Sequence, residues 1–381
     1  MSASIYLDNN ATTPVDPDVV QAMLPYFGTQ FGNPSSKRHA YGWTADEAVA
    51  IAREQVASLV GARPDWVHFT AGATEAINWA IKAWCFGNEG KGKHIITVAT
   101  EHPAVLRSCE WLERLGWSVT TLATDHRGLV AAEQVEEALT PETVLVCAMW
   151  ANNEIGTVHP VARIADVVQP HQAALLVDAT QALGKIPVTM GSVDFLACSA
   201  HKLYGPKGVG ALLINGDKPR LRLEPWMHGG GQEFGRRAGT LNVPGIVGLG
   251  AAAEKAEGLL DQEGPHLARL RDGLEAKLKE STVVVINGEG AERLPNTSSV
   301  TFPGVDTAKL IGAVPELAVS TGSACSTGAG KPSHVLQAIG SDLESATLRL
   351  SLGRFTSEEA ALRAAALLSE AVSQLQPVPL D

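Results

Sequence analysis

The apolar run Leu175-Leu176-Val177 ends in Asp178, and 24 residues later Ala197-Cys198-Ser199-Ala200-His201 ends in Lys202. An aspartate closing an apolar strand is costly to bury unless it meets a positive partner, and its plain structural role is a helix cap or turn. A lysine in such a place, followed by Gly205-Pro206-Lys207-Gly208, is unlike a solvated surface lysine. A partly buried amine with a lowered pKa can form a Schiff base, whereas a lone strand-end lysine is more often a salt-bridge partner. Upstream, Phe69-Thr70-Ala71-Gly72-Ala73-Thr74-Glu75 passes through small residues into a helix start. Free N–H groups there, with the threonine hydroxyl, suit a phosphate; alone, such a segment is more often an ordinary capped helix. The fourth feature is Cys325, set in the small, glycine-rich run 320–330 that contains no acidic residue. Such a run reads as an exposed loop, where a thiol can serve as a nucleophile. The other cysteines, Cys85 and Cys109 on helices and Cys147 and Cys198 in apolar strands, read as small buried hydrophobes.

Taken together, strand-end phosphate donors, an aspartate and a lysine are the parts that a pyridoxal phosphate (PLP) site needs. The elements that must position them are visible in the hydrophobic spacing. Segments 67–70, 94–99, 143–149, 174–177, 195–199 and 210–214 read as strands, and 45–60, 75–84, 104–115, 132–139 and 161–168 as helices. A capping box at 44–47 is expected to open the first helix. The alternation predicts an α/β fold with a mainly parallel sheet covered on both faces. From 251 onward the pattern changes to a charged helix over 251–280, broken near Gly264-Pro265, then strands at 283–286, 298–302 and 347–352. A final helix starts at the box Thr356-Ser357-Glu358-Glu359. The expected organisation is a large domain over 15–250 and a smaller α+β domain. The latter is built from 1–14 and 251–381 and carries the cysteine loop 320–334.

With 381 residues, 45% hydrophobic and 19% charged, the composition is that of a globular protein, which excludes a disordered chain, a coiled coil and a collagen-like fibre. No apolar run approaches the ~20 residues of a membrane span, and the start shows no basic stretch followed by an apolar one. A net charge of −11 argues against nucleic-acid and anionic-membrane surfaces. Five cysteines without a CxxC pair argue against a disulfide framework or a zinc site, so a cytoplasmic location is expected.

An ordered series of motifs goes further: YLDNNATTP at 6–14, FGNPSS at 31–36, AGATEAIN at 71–78, TEH at 100–102, NNEIG at 152–156 and VDATQ at 177–181. It continues with SAHKLYGPKGVGAL at 199–212, MHGGGQE at 227–233, RRAGTLNV at 236–243, STGSACSTG at 320–328 and RLSLGRFT at 349–356. Nearly end to end, the chain resembles the class V aminotransferase family of PLP enzymes, and within it the group I cysteine desulfurases (NifS/IscS-like). The resemblance implies PLP fold type I, like aspartate aminotransferase, with a seven-stranded large-domain sheet. It implies that Lys202 holds PLP and shuttles a proton, that Asp178 faces the pyridine nitrogen, and that His102 stacks on the ring as acid/base. Gln181 and Asn153 would bond near the phenolic oxygen and substrate. Ala73, Thr74, Ser199 and His201 would hold the phosphate, with Thr240 reaching it from the neighbouring subunit of a homodimer. Arg349 would bind the substrate carboxylate with Asn33 nearby, and Arg354 competes for that role. The implied reaction is L-cysteine to L-alanine with a persulfide on Cys325, which is then passed to an Fe–S scaffold or another sulfur-acceptor protein. No resident metal is implied, although Cys325 would meet a partner's Fe–S cluster transiently. Selenocysteine lyase, a serine–glyoxylate-type aminotransferase and a non-catalytic sulfur carrier are the competing readings. Ala71 stands where the family often has serine, and Ser-Thr-Gly at 320–322 where Ser-Ser-Gly is frequent. The chain closes at Asp381 without the extension that helps housekeeping members dock their scaffold, which leaves the acceptor open.

Overall fold

The structure, a computed structural model, describes residues 4–218, 221, 223–321 and 332–375. The chain opens with a short strand β1 (Ile5–Tyr6). The main sheet then follows as β2 (Val67–Thr70), β3 (His94–Val98), β4 (Ser118–Leu122), β5 (Thr143–Cys147), β6 (Ala174–Asp178), β7 (Phe195–Ser199) and β8 (Gly210–Ile214). These seven strands lie in the order β2-β8-β7-β6-β5-β3-β4. The pairs β4/β3, β3/β5, β5/β6 and β6/β7 are parallel, whereas β8 runs antiparallel to both β7 and β2. The short connection after Lys202 leaves room only for a return strand, which makes β8 antiparallel.

Alternate residues of each central strand face opposite sides. Leu175 and Val177 join one buried cluster with Val49, Ala52 and Val56 of helix Ala40–Ser58. Ala174 and Leu176 join a second, with Ile77, Trp79, Ala80, Ile81 and Trp84 of helix Ala73–Asn88. Burial on both faces explains why these strands read as continuous apolar runs. Strand β4 escaped the sequence reading because it is an edge strand whose residues are mostly exposed or half-buried.

A third cluster gathers Leu7 just after β1, Leu267, Leu270, Leu274 and Leu278, and the strands β9 (Val285–Asn287) and β10 (Thr297–Phe302). Beyond them lie β11 (Leu317–Ala318), parallel to β1, and β12 (Ser320–Thr321) and β13 (Ala346–Ser351), antiparallel neighbours beside β10. Helix Glu358–Leu375 covers this sheet and starts where Ser357 Oγ accepts from Ala360 N–H. Two expectations are corrected. Helix Ala40–Ser58 begins a turn before 44–47: His39 Nδ1 accepts from Gly42 N–H at 3.2 Å, and Gly42 packs so tightly on the Ser36 backbone that a Cβ would lie 1.8 Å from Ser36 O. The charged helix does not break at Pro265 but runs Val243–Ser281, 39 residues through position 250. Ala252, Ala253 and Ala256 anchor it in the first cluster and four leucines in the third, enough packing to carry the lost proline hydrogen bond.

Candidate active site at the carboxyl ends of the sheet

Strands β2, β3, β5, β6 and β7 all point their carboxyl ends to one edge, the usual ligand side of an open α/β sheet. There a cavity of about 700 Å³ is lined by residues at or just past their ends: Gly72–Thr74 after β2, His102 after β3, Met149 and Asn153 after β5, Asp178 at the end of β6 with Thr180 and Gln181, and Ser199 at the end of β7 with His201 and Lys202. Arg349 from β13 closes it, together with Asn10, Ala11 and Thr12 from the N-terminal segment. Ala73, Thr74, His102, Asn153, Asp178, Gln181, Ser199, His201, Lys202 and Arg349 are therefore brought together as the sequence suggested.

Helix Ala73–Asn88 starts without a side-chain cap, behind Gly72 at φ 152°. Its first N–H groups are open to an anion. Gly210 lies so near that a Cβ there would sit 2.6 Å from Gly72 Cα, and Ser199 Oγ borders the same turn. Asp178 is 8% exposed, accepts from Thr180 N–H at 2.9 Å, and makes no ion pair among the described residues. Lys202 Nζ donates to the Asn10 carbonyl and, at 2.8 Å, to the Ala11 carbonyl. His102 caps helix Pro103–Glu113 by accepting the Ala104 N–H on Nδ1 at 3.1 Å, so the neutral ring carries its proton on Nε2. Burial, then the neighbouring Lys202 and His334 side chains, hold its pKa below the ordinary value against the opposing pull of Asp178. His201 is lowered to about 4, by burial and then by Lys202, Lys207 and Lys185. Gln181 Nε2 donates to Asn10 O at 2.9 Å, and Arg349 donates from Nη1 to Asn153 O at 3.1 Å and from Nη2 to Asp8 Oδ1 at 2.7 Å.

Three expected site residues stand elsewhere. Arg354 is held by Asp16 at 2.7 Å and Glu263 at 2.9 Å, outside the cavity lining. Asn33 is exposed and caps Ser35 N–H at 2.9 Å, and Thr240 is exposed; neither lines the cavity within one chain. Cys325, with 322–331 of the loop 320–334, lies outside the described residues. The other cysteines, Cys85, Cys109, Cys147 and Cys198, are buried, and none is in a disulfide among the described residues. Sequence reasoning missed Asn10 and Ala11, which act through backbone carbonyls, and the buried Lys185 and Glu101. The signal on offer was that the polar stretch 8–14 of YLDNNATTP has no hydrophobic period.

The residues present fit PLP. An uncapped helix start with Thr74 and Ser199 hydroxyls suits the phosphate, a glycine-only approach gives it room, and an unpaired buried carboxylate and a primary amine face the same space. Fold and site thus define a PLP-binding α/β protein of fold type I. The class V aminotransferase model matches residues 5–363, and the chain belongs to that family, whose members are PLP-dependent. The cysteine desulfurase IscS of Anaeromyxobacter sp. (strain K) is 47% identical over 99% of this chain and 94% of its own length. Among solved structures, a NifS-like protein superposes with a TM-score of 0.91 at 37% identity, covering 98% of this chain and all of that one, 100%. SspA in complex with cysteine superposes at 0.82 with 36% identity, over 93% and 100% of the two chains.

Proposed function

We propose that this chain is a PLP-dependent cysteine desulfurase: it converts L-cysteine to L-alanine and retains the sulfur as a persulfide on Cys325. The observation that carries the reading is the convergence of Lys202, Asp178, His102 and Arg349 on one cavity, in a chain similar along its length to cysteine desulfurases. Lys202, Asp178, Gln181 and the Gly72–Thr74 turn hold the cofactor. When bound, PLP withdraws electrons from the bonds at the substrate Cα. Arg349 offers its guanidinium to the substrate carboxylate, and Asn153 borders the same position. Lys202 Nζ takes and returns the Cα proton, and His102 holds a mobile proton at Nε2 near the substrate sulfur. The Cys325 thiolate attacks that sulfur: an S–S bond forms, the Cβ–S bond breaks, and its electron pair becomes a C–H bond of alanine. A thiolate is needed because neither a thiol nor a hydroxyl is nucleophilic enough at neutral pH.

The wider context is part of the same reading. The persulfide goes to an Fe–S scaffold or another acceptor protein, such as one serving tRNA thiolation, in the cytoplasm. No helix among the described residues is long and apolar enough to cross a membrane. The active form is a homodimer in which Thr240 reaches the partner's phosphate site. Its exposure in the single chain, and that of Phe27, Phe31, Trp43 and Phe234 at 56–66%, supports this. Segments 15–250 and 1–14 with 251–381 act as two units, in keeping with the separate third cluster.

The test is Cys325→Ser in the full chain loaded with PLP. It should keep the cofactor and still change its visible spectrum with cysteine, yet release almost no alanine and carry no persulfide by mass spectrometry. Alanine release at the native rate would overturn the reading in favour of another class V reaction. A wild-type persulfide gained from a donor, without any alanine from cysteine, would make the chain a sulfur carrier.

A further inference from the structure

Lysines are almost never fully buried without a partner, and Lys185 is only 7% exposed with no carboxylate pairing it among the described residues. It is placed by Gly184, whose φ of +71° turns the chain inward, and where a Cβ would lie 2.3 Å from Leu203 Cδ1. From there Lys185 Nζ donates to Gln181 O at 3.0 Å, to Gln181 Oε1 at 3.5 Å and to Lys202 O at 3.4 Å. The first two contacts hold the turn after β6, which carries Asp178 and Gln181; the third holds the turn after β7, which carries Lys202 and His201.

We propose that Lys185 is a positioning residue of the PLP site, clamping the Gln181 turn to the Lys202 turn and opposing, by its charge, a second positive charge on the Lys202 nitrogen. This rests on the reading of Lys202 as the PLP lysine and adds a buried amine that touches neither substrate nor cofactor. The groups that face it are few. Gln181 belongs to its own turn, and Lys202 and His201 come from the turn after β7. Glu263 comes from helix Val243–Ser281, where Arg354 already pairs it at 2.9 Å. Burial and Lys202 lower the Lys185 pKa to about 7, with Glu263 opposing, so the clamp changes charge within the working pH range.

The test uses the full chain loaded with PLP and reads the pH midpoint of its visible absorbance, which reports protonation of the Lys202-bound nitrogen. Removing a neighbouring positive charge makes that nitrogen easier to protonate, so Lys185→Met should raise the midpoint by about one pH unit. Lys185→Arg, cationic at every pH, should move it below that of the wild type. A merely structural residue would move both variants the same way or neither, and either result overturns the proposal. The kcat of Lys185→Met should fall about tenfold while KM for cysteine stays within about a factor of two, because no substrate contact is lost. Should Lys185→Met not fold, Lys185→Gln, which keeps a donor without the charge, supplies the neutral arm and should also raise the midpoint. A wild-type chain that never gains a visible band with PLP would refute the cofactor reading itself, a separate failure.

Discussion

Arg349 and Asp8, 341 residues apart, meet at 2.7 Å between Nη2 and Oδ1, with side chains only 4% and 22% exposed. Asp8 opens the N-terminal segment whose Asn10 and Ala11 carbonyls also receive Lys202 Nζ, so one strap holds both the cation and the amine to which the proposed function assigns the substrate carboxylate and the cofactor. Arg349 Nε has no hydrogen-bond partner among the described residues, which leaves its aim dependent on Asp8 and Asn153 O.

Replacing Asp8 should therefore act on substrate binding before chemistry. Asp8→Ala should raise KM for cysteine about tenfold, the loss of one charge-assisted hydrogen bond's worth of positioning, with a smaller effect on kcat. Asp8→Asn, which keeps an acceptor, should fall between. Steady-state alanine formation checks this, and an unchanged KM in Asp8→Ala would remove Asp8 from the site.

The proposed phosphate cradle depends on two backbones touching. A Cβ at Gly210 would lie 2.4 Å from Cys198 O and 2.6 Å from Gly72 Cα, backbone atoms that cannot swing away. Gly210→Ala should cost roughly 1–3 kcal/mol of stability by overpacking and, by displacing Gly72, weaken PLP binding as well. Thermal unfolding together with PLP titration of the apo chain separates the two effects. Lower stability with unaltered PLP affinity would mean that the Gly72 turn is not the phosphate site.

The central strands were legible because both faces of each are buried, and Asp178, His102, Thr74 and Lys202 because each sits where such a run ends. What stayed hidden has physical reasons. Asn10 and Ala11 serve through carbonyls, which no side-chain pattern records, and Lys185 lies in a turn where a lysine looks like a surface residue. Pro265 suggested a helix break because local propensity cannot weigh the leucines that pack 267–278 into the third cluster. Asn33 and Thr240 were expected at a site that one chain alone does not bring them to.

The four buried cysteines should be separable from Cys325 by what their loss changes. Burial raises the pKa of Cys198 to about 12 and pushes up Cys85; in Cys147 the hydrogen bond to Cys109 comes first, then burial. None of these three, Cys85, Cys147 or Cys198, is poised to become a thiolate. Changing Cys85, Cys109, Cys147 or Cys198 to Ser should lower stability by about 1–3 kcal/mol, as a hydroxyl enters an apolar site, and leave alanine release within about a factor of two. Loss of the persulfide in any of the four would place the sulfur-accepting thiol elsewhere than Cys325.

Acid should destabilise the fold through His159. The residue is 3% exposed, neither ring nitrogen has a hydrogen-bond partner among the described residues, and burial lowers its pKa to about 4 despite Asp125. Its folded pKa lies below the ordinary 6.5, so as pH falls the unfolded chain takes up the proton first. The stability tied to the neutral ring is therefore complete above about 6.5 and drains away between 6.5 and about 4. At pH 5 the loss from this one site is about 2 kcal/mol by linkage. Replacing the ring with an apolar side chain removes the titration and leaves no bond broken, since the nitrogens held none. His159→Leu should accordingly match the wild type within about 1 kcal/mol at pH 7.5 and be the more stable protein at pH 5. His68, lowered to about 3 mainly by burial, stays in both proteins and so cancels from the comparison. Urea unfolding at pH 7.5, 6 and 5 gives the two slopes directly. Parallel slopes for His159→Leu and the wild type would show that His159 does not carry the acid sensitivity.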